Sequence, residues 1–275
     1  MKKHYYALLD YDGYVAKSFY AGRNAENPED FSECYNSLYN MEQYAINKTC
    51  DFFKVDEIEV IKVVSGHTFK KDIFPTYKAQ RKNDEYLGMY RQEIKQREDV
   101  QIAENLEADD ILVMMSEVYP ATTVVFSDDK DLHKYCPYTC KLNEDTSISA
   151  LKYGKSYQLI QMISGDTIDN IRGVPNYGEK KAEKYLRENG FSLESVIRLY
   201  KREKVSADEC LKNLILVHPT SKGLLEDFDL EPQMYLVETF RNGLSLDLLD
   251  THKQIQEVIK GLSNKVKEVY FDSKS

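Results

Sequence analysis

Carboxylates carry the most distinctive chemistry in this sequence. Asp10 closes an apolar run from Tyr5 to Leu9, and Asp12 follows two residues later. In "LEADD", Glu107 and Asp110 stand three apart, the spacing that puts two side chains on one face of a helix, with Asp109 between them. In "SDDKDL", Asp129 and Asp131 point the same way along an extended chain. "GDTIDN" again sets two acids, Asp166 and Asp169, three apart. Any one group by itself reads as a solvated face or a helix cap. Gathered in one crevice, so many carboxylates would repel, and some would stay protonated unless cations neutralised them. Oxygen-rich sites of this kind suit Mg2+ or Mn2+. Two such ions roughly 4 Å apart can clamp the attacking and leaving oxygens of a phosphodiester.

Secondary structure must bring the acids together. Short, β-branched apolar runs at 4–10, 57–66 and 122–128 read as strands, with a weaker one at 139–143. Helical patterns lie between them. The one at 28–54 opens on Pro then acids, that at 84–98 is polar and mixed, and that at 106–119 is amphipathic and stops at Pro120. This alternation predicts an α/β fold with a mostly parallel central sheet flanked by helices. Ligands collect at the carboxyl ends of such strands, where Asp10 and residues 127–131 fall. Beyond about residue 155 strand signals fade and helical ones take over. The expected division is therefore an α/β core, 1–155, and a mainly helical region, 156–275, packed on it because no linker is visible.

The segment 171–186, "IRGVPNYGEKKAEKYL", reads as helix, tight turn, helix. Gly173, Pro175 and Gly178 supply the turn, and Lys180, Lys181 and Lys184 lie in the second helix. Glycine lets a backbone approach a phosphate closely, and the helix N-terminus offers amide donors to it. Such a turn grips a duplex by its phosphates without reading bases. Its exposed carbonyls, over 171–178, are candidate ligands for K+. The bland alternative is an ordinary helical hairpin.

The chain has 275 residues, 42% of them hydrophobic and 30% charged, enough for a real core beneath a well-solvated surface. A net charge of −9 argues against a uniformly basic nucleic-acid binder, although carboxylates that hold cations count as negative only in the formal sum. Cysteines at 34, 50, 136, 140 and 210 read as free thiols of a reducing cytoplasm. The opening "MKKHYYALLD" is too short for a signal segment, and no stretch approaches membrane-span length. A cytoplasmic protein without a membrane partner is expected.

Taken in order, "ALLD", "YKAQR" (77–81), "EADD", "SDDKDL" and "GDTIDNIRGVPNYGEKKA" resemble the flap endonuclease/5′–3′ exonuclease family. The family includes phage 5′ nucleases, phage RNase H and the 5′-nuclease domain of bacterial DNA polymerase I. The resemblance covers roughly residues 5–190. It implies a PIN-like nuclease core joined to a helical region with a helix-hairpin-helix type of DNA-binding motif. It implies hydrolysis of phosphodiesters near 5′ ends or single-strand/duplex junctions, in DNA replication or primer removal. Asp10, Glu107, Asp109, Asp129, Asp131, Asp166 and Asp169, with Asp110 behind or sharing, would hold two or more Mg2+ ions that Mn2+ can replace. Lys78 and Arg81 would steady the charge of the scissile phosphate. Residues 67–100 would form an arch over the single strand, with Lys70, Lys71, Lys82, Arg91, Lys95 and Arg97 interleaved with Phe74, Tyr77, Tyr86 and Tyr90. A solvated charged helix is the alternative for 84–98. The implied substrates are DNA with a 5′ flap or 5′ end and RNA–DNA hybrid. A monomer is expected, in the host cytoplasm if phage-encoded, with replication proteins as partners. In one respect the sequence departs from the family, which places another Asp at the end of its second strand. Here the strand reads "VVSGH", the matching place falls near His67, and its imidazole is a candidate variant ligand.

Two rival readings stand beside this one. "LLDYDGY" also suits a haloacid-dehalogenase-like phosphatase with Asp10 as nucleophile, but that leaves "EADD", "SDDKD" and the lysine-bearing turn unexplained. A non-catalytic junction-binding protein is motivated by His67 and opposed by the near-complete set of acids.

Overall fold

The computed structural model describes residues 4–80, 84–142, 146–150 and 155–217, and, near the C-terminus, helical residues 260, 261, 263, 264 and 266–271. They fall into two compact units. One comprises residues 4–67, 84–142 and 146–150; the other comprises 68–80, 155–217 and the C-terminal helical residues. The segment 68–80 thus groups with the second unit, whereas a simple cut of the chain near residue 155 would put it in the first.

The first unit is built on six strands: β1 (Tyr6–Asp10), β2 (Glu59–Thr68), β3 (Val100–Asn105), β4 (Thr123–Phe126), β5 (Tyr138–Cys140) and β6 (Ser149–Ala150). Their order across the sheet is β3-β2-β1-β4-β5-β6. β1 is central, and all five of its residues are buried, as a continuous apolar run between two covered faces requires. It runs parallel to β2 and β4, β4 runs parallel to β5, and β6 turns back antiparallel. Asp10 pairs in register with Val63, and Leu9 with Phe126, so the residue after β4, Ser127, stands level with Asp10. The carboxyl ends of the three central strands therefore share one edge.

Helices α1 (Tyr11–Gly22), α2 (Ser32–Phe53), α4 (Glu85–Lys95), α5 (Ala108–Val118) and α6 (Leu132–Tyr135) belong to this unit. α1 and α2 approach so closely at Gly22 that a Cβ there would lie 2.4 Å from the Cys34 nitrogen. α4 packs inward through Leu87, Tyr90 and Ile94. The Tyr90 ring, fully buried, lies 5.1 Å from Phe31 and 5.2 Å from Tyr35. α4 is thus amphipathic, with a core face and a polar face, and Tyr90 offers no face to a nucleic-acid base. Arg97 is likewise committed. It makes a two-pronged bond to Asp99 at 2.9 and 2.8 Å, and Lys62 joins Asp99 at 2.6 Å and Glu42 at 2.8 Å. The Tyr11 hydroxyl donates to Glu42. Arg97, and then Lys62, hold the Asp99 carboxyl well below the usual carboxylate range.

In the second unit, α3 (Phe69–Ile73) precedes α7 (Lys155–Ser164), a hairpin of two short strands β7 (Gly165–Asp166) and β8 (Ile171–Arg172), α8 (Glu179–Asn189), α9 (Leu193–Arg202) and α10 (Ala207–Leu216). The reading of 171–172 as helix is corrected here: both residues lie in β8, antiparallel to β7. The cause is local. Gly165 at φ +71° turns the chain out of α7, Asn170 at φ +60° closes the reversal between the strands, and Gly165 and Gly173 nest against each other. A Cβ on Gly165 would meet the Gly173 nitrogen at 2.3 Å, and one on Gly173 would meet the Ser164 carbonyl carbon at 2.3 Å. Behind the hairpin, buried Asn213 of α10 donates to the Arg172 carbonyl at 2.6 Å and to the Tyr200 hydroxyl at 2.7 Å. Among the described residues no helix is long and apolar enough to cross a membrane.

Candidate active site

The strand ends of the first unit gather acids through serine hydroxyls. Asp10 caps α1, accepting from the Gly13 amide at 3.3 Å. The Ser127 hydroxyl donates to Asp10 Oδ2 at 2.5 Å and accepts from the Asp129 amide at 2.9 Å. Asp129 Oδ1 in turn accepts from the Asp131 amide at 2.7 Å. On the other side of β1, Asp12 Oδ2 accepts from the Ser65 amide at 2.8 Å, and Ser65 Oγ accepts from the Ala108 amide at 3.0 Å. That bond fixes the first turn of α5, and with it Glu107, to the carboxyl end of β2. Asp110 points its Oδ2 back to the Glu107 amide at 3.1 Å and so braces this turn. Asp109 is half-buried between them. His133 stands behind the array. Its Nε2 bonds the Ser127 carbonyl at 2.7 Å and must carry the proton, because a carbonyl only accepts.

Asp10 feels this crowding. Its pKa is raised from 3.8 to about 6. Burial is the main cause, and the charges of Asp12 and Asp129 add to it, while the bonds from Ser127 and Gly13 pull the other way. The nearby Lys17 is paired with Asp128 at 2.9 Å. A buried carboxylate pressed by two more acids is a donor set that fits a hard divalent cation, which favours charged oxygen ligands. As they stand, among the described residues, no three Asp, Glu, His or Cys side chains close around one point. Those of Asp10, Asp12 and Asp129 turn instead to N–H and O–H donors.

The second unit carries its own acids on the β7–β8 hairpin. Asp166 Oδ1 accepts from the Ile168 amide at 2.8 Å and the Asp169 amide at 3.4 Å. Asp169 Oδ2 lies 3.7 Å from the Lys78 ammonium, which also sits 4.9 Å above the Tyr77 ring. Lys180, Lys181 and Lys184 are exposed on α8, and Gly178 caps it with open space before its Cα. The Lys181 ammonium lies 4.0 Å over the Tyr177 ring and 3.2 Å from the Asn176 carbonyl.

Several expectations change on this geometry. His67 is exposed and lies four residues past Val63, roughly 13 Å of extended chain beyond the level of Asp10. The residue level with Asp10 on β2 is Val63, fully buried and apolar. Lys70 and Tyr77 are 1% and 3% exposed, so neither side chain presents itself to an incoming strand, whereas Lys71 is exposed. Gly173 is explained by backbone packing in its own hairpin, and only Gly178 keeps the open approach a phosphate needs. Arg81 and Lys82 lie outside the described residues. Ser65, Ser127 and His133 were not singled out from sequence, although "VVSGH" and "SDDKDL" each hold one serine. A serine at a strand end beside an acid is the signal that would have found the first two.

No protein-family model matches the chain. In an alignment of 208 positions that covers 66% of this chain, it is 27% identical to a DNA polymerase I from Rhizobium leguminosarum, of which it spans only 20%. Over 214 residues it is 23% identical to a 5′-3′ exonuclease from Mycoplasmopsis pulmonis, covering 71% of this chain and 70% of that one. The fold is shared with bacteriophage T5 proteins. A T5 5′-exonuclease mutant superposes with a TM-score of 0.56 at 17% identity, over 94% of this chain and 100% of the other. A T5 protein co-crystallised with metal ions gives 0.58 at 17% identity, over 92% of this chain and 99% of the other.

Proposed function

We propose that this chain, whose relatives and fold agree with the flap endonuclease/5′–3′ exonuclease resemblance of its motifs, is a metal-dependent, structure-specific 5′ nuclease. It hydrolyses phosphodiesters near 5′ ends or single-strand/duplex junctions. The observation that carries this reading is the Ser127-bridged pair of Asp10 and Asp129 at the carboxyl edge of a parallel sheet, with the Asp10 pKa raised by burial and by the neighbouring acids. Bound divalent ions, Mg2+ in this reading with Mn2+ as a substitute, supply Lewis-acid stabilisation of phosphoryl oxygens and lower the pKa of a water at the site.

Asp10, Glu107, Asp109, Asp129, Asp131, Asp166 and Asp169 are the residues that would hold those ions, and Asp110 braces Glu107 for the purpose. Ser127 orients Asp10 and Asp129 together, and Ser65 does the same for Asp12 and the start of α5. Lys78 and Arg81 neutralise charge building on the scissile phosphate. Lys180, Lys181 and Lys184, with Gly178, hold duplex phosphates, and K+ on the turn carbonyls of 171–178 belongs to the same contact. The substrates are DNA with a 5′ flap or free 5′ end and RNA–DNA hybrids, in replication or primer removal.

A labelled 5′-flapped duplex tests this. Cutting should need Mg2+, stop with EDTA and leave a 5′-phosphate. Asp166→Asn should lower the rate at least a hundredfold. A wild-type rate in that variant would overturn the ligand assignment. Binding without cutting at any Mg2+ concentration would favour a junction-binding protein instead, and a covalent phosphate on Asp10 would favour a phosphatase.

A further inference from the structure

We infer that Asn170 is a positioning residue: it latches the acid-bearing hairpin to the turn that carries Lys78, and so fixes the Lys78 ammonium. The inference rests on the nuclease reading above and deepens it by naming a residue that acts through another.

Two segments far apart in sequence meet here within one unit. The Asn170 side-chain amide donates to the Thr76 carbonyl at 3.1 Å, across 94 positions of chain. The Lys78 amide donates to the Asp169 carbonyl at 3.3 Å. The Lys78 ammonium then reaches Asp169 Oδ2 at 3.7 Å, with its side chain only 10% exposed. The turn is closed on itself by Tyr77 and Ala79 amides bonding the Phe74 and Thr76 carbonyls at 2.8 and 3.3 Å.

Backbone conformation makes the same point independently. Asn170 and Lys78 both sit in the left-handed region, at φ +60° and +54°. Asparagine tolerates that region; lysine has no local preference for it. A strained residue persists where its surroundings over-determine it, and such residues cluster at functional sites. Of the bonds that hold Lys78 in place, the one from Asn170 to Thr76 comes from a side chain and can be removed without touching an acid, a lysine or the backbone.

Asn170→Gly is the informative substitution. Glycine accepts φ +60° freely, so the hairpin keeps its path while the bond to Thr76 is lost. A role confined to backbone conformation predicts wild-type behaviour in Asn170→Gly and a defect only in Asn170→Ala. A latch predicts that both fail alike. On a 5′-flapped duplex with Mg2+, kcat should fall about tenfold in Asn170→Gly, with KM and the calorimetric Mg2+ affinity within about twofold of wild type. In a Lys78→Ala background the same change should cost less than twofold, because its effect passes through Lys78. Without DNA or metal, amides of residues 74–80 should exchange hydrogen about tenfold faster in Asn170→Gly. A wild-type rate in Asn170→Gly would overturn the inference. So would an undiminished loss in the Lys78→Ala background, a tenfold loss of Mg2+ affinity, or unchanged amide exchange. If wild-type protein cuts no substrate although exchange responds as described, the nuclease reading fails, and Asn170's part in that reaction fails with it, while the latch itself stands measured.

Discussion

Replacing Asp10 with Asn should stabilise the metal-free protein at alkaline pH while removing its activity. In the folded chain the Asp10 pKa lies near 6, against 3.8 when free. A raised carboxyl pKa means that folding favours the protonated form. The associated stability is fully present below 3.8 and is lost as pH rises through about 6. The shift is about two units, so at pH 8 the charged Asp10 costs the fold about 3 kcal/mol. Asn removes that charge at nearly constant volume. It also offers only one acceptor to two donors, the Ser127 hydroxyl and the Gly13 amide, which costs roughly 1 kcal/mol. The net gain is about 2 kcal/mol, roughly 4–8 °C in Tm for a domain of this size. Urea or thermal unfolding in EDTA should show the variant more stable at pH 8. Its advantage should shrink through pH 6 and turn into a small deficit below 3.8. Adding Mg2+ should raise the Tm of wild type more than that of the variant. A variant less stable than wild type at pH 8 in EDTA, or a difference that ignores pH, would refute the picture of Asp10 as a carboxylate whose charge is penalised by burial.

Gly173→Ala should cost roughly 1–3 kcal/mol or more, because its Cβ would strike backbone atoms that cannot yield, whereas Gly178→Ala should leave stability within about 0.5 kcal/mol. If a phosphate approaches Gly178, only that second variant should weaken duplex binding, by gel shift, at unchanged Tm. Lys62→Met should cost roughly 3 kcal/mol in urea unfolding, since it strips a cation from buried Glu42 and from Asp99. Val63→Asp would place a further acid level with Asp10; it should lower stability in EDTA and tighten Mg2+ binding several-fold by calorimetry.

The parallel sheet was legible because its strands are short apolar runs that end in acids or turns. The strand at 100–105 was not, since "VQIAEN" mixes polar and apolar residues without clean alternation. No helix is read from the sequence at 11–22, yet Asp10 caps one that buries Tyr11, Tyr14, Val15 and Phe19. The basic residues of 67–100 were the hardest to place. Charge alone does not tell Arg97, spent on Asp99, from Lys71, which faces solvent; only the partner decides, and the partner lies elsewhere in sequence. The register between β1 and β2 was invisible for the same reason. That register sets Val63 level with Asp10 and leaves His67 four residues further along β2.

Two parts of the first unit treat buried charge differently. Around β2 the charges are paired: Lys62 with Glu42 and Asp99, Arg97 with Asp99. At the sheet edge, Asp10, Asp12 and Asp129 are held by serine hydroxyls and backbone amides, which are dipoles and cannot cancel a charge. A fold that balances its buried charges in one place and leaves acids crowded a few residues away has the means to avoid the crowding. In the nuclease reading proposed above, a bound cation would relieve this crowding. Proton release from Asp10 on Mg2+ addition tests that relief: it should peak below pH 6, fall off as pH rises through about 6, and vanish in Asp10→Asn.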